Sequence, residues 1–267
     1  MNEKHISRGG QISVYLGKCF RTFQNEKGWK NLVSTLLITL LISAVTGEDI
    51  FVTFGATQNG AFALVCACIW VGIFNSIRSV CRERDILKRE HRTGLHMSSY
   101  VIAHLIFEAC ICFTEAFLVL IVVRIVNWDN FPKEAVLMPP VLEMFITFFL
   151  IIFSADAMGL LISAVVKNEN TAMTVMPFAL IIQLVMSGTV FELEGMTEFV
   201  SKFTISRWGL AAICSISNVN DMTFYFVEEY SSTVQTIFRQ WGILLIFAAV
   251  YGILSVISLQ FVDRDSR

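Results

Sequence analysis

Four carboxylates stand inside stretches that are otherwise apolar: Glu108 and Glu115, seven residues apart, then Glu143 and Asp156. Seven residues are two helical turns, so Glu108 and Glu115 share one face of a helix. A carboxylate in hydrocarbon is costly and marks either a pathway or a buried pair, and the sequence leaves both open. Other chemistry is thin. The histidines, His5, His91, His96 and His104, share no H-x-x-H spacing. Two C-x-C pairs, Cys66/Cys68 and Cys110/Cys112, have no His or carboxylate at zinc-ligand spacing. They read as packing residues, and no metal site is expected. The 267 residues contain no G-x-x-x-x-G-K-[ST], hence no loop to cradle ATP phosphates.

The elements that must position these residues are membrane elements. Hydrophobic residues make up 55% of the chain and charged ones 16%, well below the roughly 25% of soluble domains, with a mean hydropathy of +0.65. A net charge of −2 argues against a nucleic-acid partner, which needs a basic face.

Residues 1–30 are polar, and their composition is not that of a secretory signal. Within them Ile12, Tyr15, Leu16, Cys19, Phe20 and Phe23 recur at helical steps, which predicts an amphipathic helix over 10–28 lying at the membrane interface, with or without a protein partner. Six spans follow, at about 30–47, 60–80, 99–126, 136–166, 171–190 and 238–262. The second is expected to begin near Gly60 because 55–60 looks turn-like. Ala155, Gly159 and Ser163 form a small-residue ridge suited to helix packing, and Pro177 should kink the fifth span.

Between spans two and three lies a charged island, 78–100, reading RSVCRERDILKREHRTGLHMSSY and holding six Lys and Arg residues. It cannot sit in hydrocarbon. Fifteen Lys and Arg residues fall on the island's side, including Lys4, Lys167, Arg264 and Arg267, against three on the other, Lys133, Lys202 and Arg207. The positive-inside rule then places both termini and the loop 81–98 in the cytoplasm and the segment 191–236 outside. That external segment carries Glu192, Glu194 and Glu198, an amphipathic run at Met196, Phe199, Val200 and Phe203, and a second apolar run, 208–216, too short to span. The run either dips into the outer leaflet or packs on the bundle.

The island's pattern, Glu83, six residues, Glu90, three residues, Gly94, three residues, then Ser98, Ser99 and Tyr100 leading into a span, resembles the loop between spans two and three of type-2 ABC exporters, especially the G subfamily. Ser187 and Gly188 at the end of span five, and the run Ile205, Ser206, Arg207, Trp208, Gly209, Leu210, Ala211, Ala212, Ile213, resemble the same family. The likeness covers essentially the whole chain, 1–267, as one all-α membrane domain. It departs from the G subfamily in lacking a nucleotide-binding domain.

The resemblance implies a permease that moves a hydrophobic or amphipathic substrate outward. Two membrane halves, identical or related, would face each other. ATP and Mg would be bound and hydrolysed by a partner ATPase, with no cofactor on this chain. The island would be the coupling helix, meeting the ATPase through Glu83, Arg84, Ile86, Leu87, Lys88, Arg89 and Glu90, or else a solvated loop that only fixes topology. Spans two and five would line the substrate path, with Trp70, Phe74, Met173, Met176, Phe178 and Leu180 as its side chains, although all six suit lipid-facing or core positions as well. Glu108 occupies a place where the family carries an acid, as a partner for a basic loop residue or as a ligand. An intramembrane enzyme and a non-transporting anchor for an ATPase are the rival readings.

Overall fold

The computed structural model describes residues 7–134, 136–191, 193–224 and 226–261, with only the backbone of Glu48. Lys4, His5, Glu192, Arg264 and Arg267 lie outside these residues, so their expected placements are not addressed. The described residues are helical, without strands. In order they form α1 (Arg8–Asn25), α2 (Trp29–Thr46), α3 (Phe54–Ser76), α4 (Ser79–Arg82), α5 (Arg84–Arg92), α6 (Met97–Val126), α7 (Pro140–Val165), α8 (Glu169–Val185), α9 (Met196–Ser201), α10 (Ile205–Ile216) and α11 (Val234–Gln260).

Among the described residues five helices are long and apolar enough to cross a membrane: α2, α3 with its continuation α4, α6, α7 and α11. The expected fifth span, α8, is apolar but has 17 residues, about 25 Å at 1.5 Å per residue. It falls short of a core of about 30 Å. By contrast α6, with 30 residues, is about 45 Å long and overshoots that core. Its first three turns are covered by α1: Tyr15 packs edge-on against Tyr100, and Phe20 and Phe23 against Phe107. The amphipathic stripe of the N-terminal helix is therefore spent on α6, with Cys19 buried beneath it.

Starting positions differ from expectation by four or more residues at three spans, one of them α11, which begins at Val234 rather than near 238. Thr53 caps α3 by accepting from the Ala56 amide, so the helix begins at Phe54, six residues before Gly60. Gly60 is small for packing instead: a Cβ there would lie 2.3 Å from Ile50 Cγ1. At α7 the helix starts at Pro140, where a missing N–H costs nothing.

The main core joins α3, α7, α10 and α11 with the far half of α6. Its tightest contact is the crossing of α3 and α7, where a Cβ on Gly72 would lie 2.3 Å from the Ile152 carbonyl oxygen and one on Gly159 would lie 2.8 Å from that of Ile73. The run 208–216 belongs to α10, which is buried from Gly209 to Ile216 against α3, α7 and α11. Gly209 lets it approach, since a Cβ there would meet Ile151 at 2.9 Å. The run is thus helical and packed on the bundle.

Candidate functional site

The island folds as α4 and α5 at one end of the bundle, where α1, the start of α6, and the turn from α7 to α8 meet it. Two layers of bonds hold it. Toward α1, Lys18 Nζ stands 2.9 Å from Glu83 Oε2, the Tyr15 hydroxyl donates to Glu90, and Arg82 pairs with Glu26. Gln11 completes the layer, donating to the Gly94 carbonyl at 3.1 Å and accepting from the His96 amide at 3.1 Å. Gly94 has φ +103°, a conformation that favours glycine, and it turns the chain from α5 toward α6. Burial holds the Tyr15 phenol well above its usual range, and the bond to Glu90 adds to that. Burial likewise pushes the Cys19 thiol up to about 12, helped by the fields of Glu108 and Glu83.

Toward the membrane, the layer is different. Arg84 is buried, and its Nη1 donates to the carbonyls of Ala164 and Val166, each at 2.9 Å. Ser163 Oγ accepts from the amides of Val80 and Cys81 at 3.0 and 3.1 Å. Leu87 is buried with Val80, Tyr100, Leu160 and Leu259.

The seven expected coupling residues therefore divide. Glu83 and Glu90 bond α1; Arg84 and Leu87 face α7 and its neighbours; Ile86 and Arg89 are exposed, and Lys88 is half-buried. The carbonyls at the end of α7 draw Arg84 inward. Beside the island, between α4–α5 and the α7–α8 turn, lies a polar cleft of about 500 Å³ lined by Arg82, Asp85, Lys167 and Glu169 among others.

The expected path residues are not gathered into one lining. Met176 is buried, Phe74 and Leu180 pack against the core, and Arg78 lies over the Phe74 ring at 5.6 Å. Trp70, Met173 and Phe178 point outward. Phe178 is two residues from Met176 and thus on a different face of α8.

Each intramembrane carboxylate has its own setting. Glu115 accepts from Asn75 Nδ2 at 2.7 Å and Thr35 Oγ1 at 3.1 Å, tying α6 to α3 and α2. Because Thr35 lies near the start of α2 and Asn75 in the last turn of α3, Glu115 is level with the island-side ends of those helices, although it is far along α6. Glu143 accepts from the amides of Leu137 and Met138 and so caps the loop before α7. Asp156 is buried at the α3–α7 crossing, where Ser76 Oγ donates to its main-chain oxygen at 2.6 Å. Glu108 is buried, and it takes part in none of the ion pairs found among the described residues.

Sequence reasoning missed Ser163 and Gln11 as island contacts and gave Tyr15 only a place on an apolar stripe. The one available signal was Lys18, three residues after Tyr15 on a helix whose partner segment carries Glu83 and Glu90 seven apart.

A membrane domain built of long apolar helices with a charged segment between the second and third defines the class, and comparison with known families agrees. Residues 11–218 match the ABC-2 type transporter family, and the chain belongs to it. It is a multi-pass membrane component of a transporter. Over 146 residues, 54% of this chain, it is 27% identical to the ABC transporter ATP-binding/permease protein Rv1747 of Mycobacterium tuberculosis, of which it spans 17%.

Proposed function

We propose that this chain is the permease half of an ATP-driven exporter, with a separate ATPase or ATPase segment docking on the island. One observation carries the reading: α5 is clasped to α1 by Tyr15–Glu90 and Lys18–Glu83 while its Ile86 and Arg89 remain exposed, which presents a braced helix at one end of the bundle. The relative's printed name, joining ATP binding to a permease, supports the same partnership. The island end faces the cytoplasm, as fifteen cations against three argue, with both termini beside it. In this reading α8 is the fifth of six spans, with the turns at its ends lying at the two membrane faces. A second membrane half pairs along the outward side chains of α3 and α8, and the substrate is hydrophobic or amphipathic, meeting Trp70, Met173 and Phe178.

Purification of the tagged chain from native membranes tests this. A bound ATPase whose turnover rises with a hydrophobic substrate is the expected result. A bound ATPase with no transport in proteoliposomes would make the chain an anchor, and chemistry without ATP would make it an enzyme.

A further inference from the structure

We propose that Arg84 and Ser163 form the joint through which displacement of the island enters the membrane bundle, and that it enters by α7 and is delivered to α8. The inference rests on the reading that an ATPase docks on the island. By chain connectivity, the island is an extension of α3 and α6, and a push on it would be expected to move those two. Its bonds say otherwise. Four donor contacts converge on residues 163–166: Val80 N and Cys81 N on Ser163 Oγ, and Arg84 Nη1 on the Ala164 and Val166 carbonyls. Leu87 adds buried contact with Leu160 and Ala164.

The chemistry suits a rigid joint. The last turn of a helix has carbonyls without intrahelical partners and carries partial negative charge, so a guanidinium is held there by both charge and direction. Arg84 is 8% exposed, and a cation so buried keeps its place because its hydrogen bonds are made. Such a contact has one good geometry, and α5 cannot slide on α7 without breaking it.

From that turn the path continues without a gap. Val166 is three residues before α8, which begins at Glu169 under an Asn168 cap. Little of α8 is buried beyond Ala172, Met176 and Gln183, and it carries Pro177. Its far end is tied to α10 by Ser206, whose amide donates to Gln183 Oε1 at 3.1 Å and whose hydroxyl donates to the Gln183 carbonyl at 2.5 Å. α7, in contrast, is locked to α3 by glycine and to α11 by Ser154 Oγ donating to the Leu244 carbonyl at 2.8 Å and Trp241 Nε1 donating to Thr147 at 2.9 Å. A displacement arriving at residues 163–166 therefore meets two stiff neighbours and one compliant one.

The test uses the complex with its ATPase in lipid nanodiscs, with fluorophores on non-natural amino acids at Leu41 of α2 and Met173 of α8, both exposed. With ATP and vanadate the wild type should show a change in the distance between the labels. Arg84→Ala should keep the ATPase bound at wild-type stoichiometry, since the side chain faces α7, and should lose the change. Arg84→Lys, which keeps the charge without the fork, should recover part of it. Should Arg84→Ala fail to fold, Ser163→Ala removes the other half of the joint without opening a large cavity; it leaves the Val80 and Cys81 amides without their acceptor, so it should lower the Tm somewhat and lose the change. A bound ATPase with an unchanged label shift in whichever of these variants folds overturns the joint, as does a wild-type complex with no shift. A chain that binds no ATPase at all removes the proposed function, and the joint with it.

Discussion

The Tyr15 hydroxyl donates to the Glu90 carboxylate across 75 residues of sequence, and that bond makes the interface helix and the island one body. A hydrogen bond to a charged, half-buried acceptor is worth about 1.5 kcal/mol. Tyr15→Phe should therefore raise amide exchange in α1 by about tenfold. Hydrogen exchange by mass spectrometry over residues 8–25 checks it, and unchanged protection would show that ring packing on Tyr100 holds α1 alone. The phenol's raised pKa fixes the pH behaviour. Its contribution is fully present below the ordinary phenol value of about 10 and is lost only as pH rises beyond it.

Cys19 should be silent. With its thiol pushed from about 9 to about 12 it is protonated at neutral pH, and the thiolate is the reactive form. Three pH units correspond to about a thousandfold less thiolate than in the unfolded chain at pH 8. Peptide-resolved bimane labelling should find Cys19 unmodified in the native protein and modified in denaturant. Rapid native labelling would mean that α1 leaves α6 often.

The α3–α7 crossing tolerates no side chain. Gly72→Ala places a methyl against the Ile152 carbonyl oxygen and the Asp156 amide, neither of which is the end of a flexible side chain. Overpacking of this kind costs about 1 to 3 kcal/mol or more. A lowered Tm and reduced yield in detergent are expected, whereas Gly242→Ala, with open space around it, should behave as wild type. Equal stability of the two variants would mean that the crossing can spread.

Orientation has a direct check. Lys167→Cys at the island end and Met196→Cys at the opposite end are both exposed. A membrane-impermeant maleimide added to intact cells should label position 196 and leave position 167 unlabelled until the membrane is opened. The reverse pattern would invert the proposed threading.

Charge and hydropathy made the helical bundle and the island readable in advance, because each is a property of neighbouring residues. What sequence could not supply were pairings set by geometry at a distance. Arg84 has the composition of a surface residue, and the carbonyls of Ala164 and Val166 at the end of α7, some 80 residues on, hold it inward. Glu115 counts as deep along its own helix, yet it is bonded at the level of Thr35 and Asn75, toward the island-side ends of α2 and α3. Gly60 has the look of a turn, and it is a glycine for the sake of Ile50.

Where Gly72 and Gly159 bring two backbones together, no lipid tail and no water can wedge in. Such a seam acts as a keel, a line along which the domain neither breathes nor leaks while the bilayer around it stretches or thins. Conformational freedom is thereby pushed to the flank, where α8 buries little beyond Ala172, Met176 and Gln183.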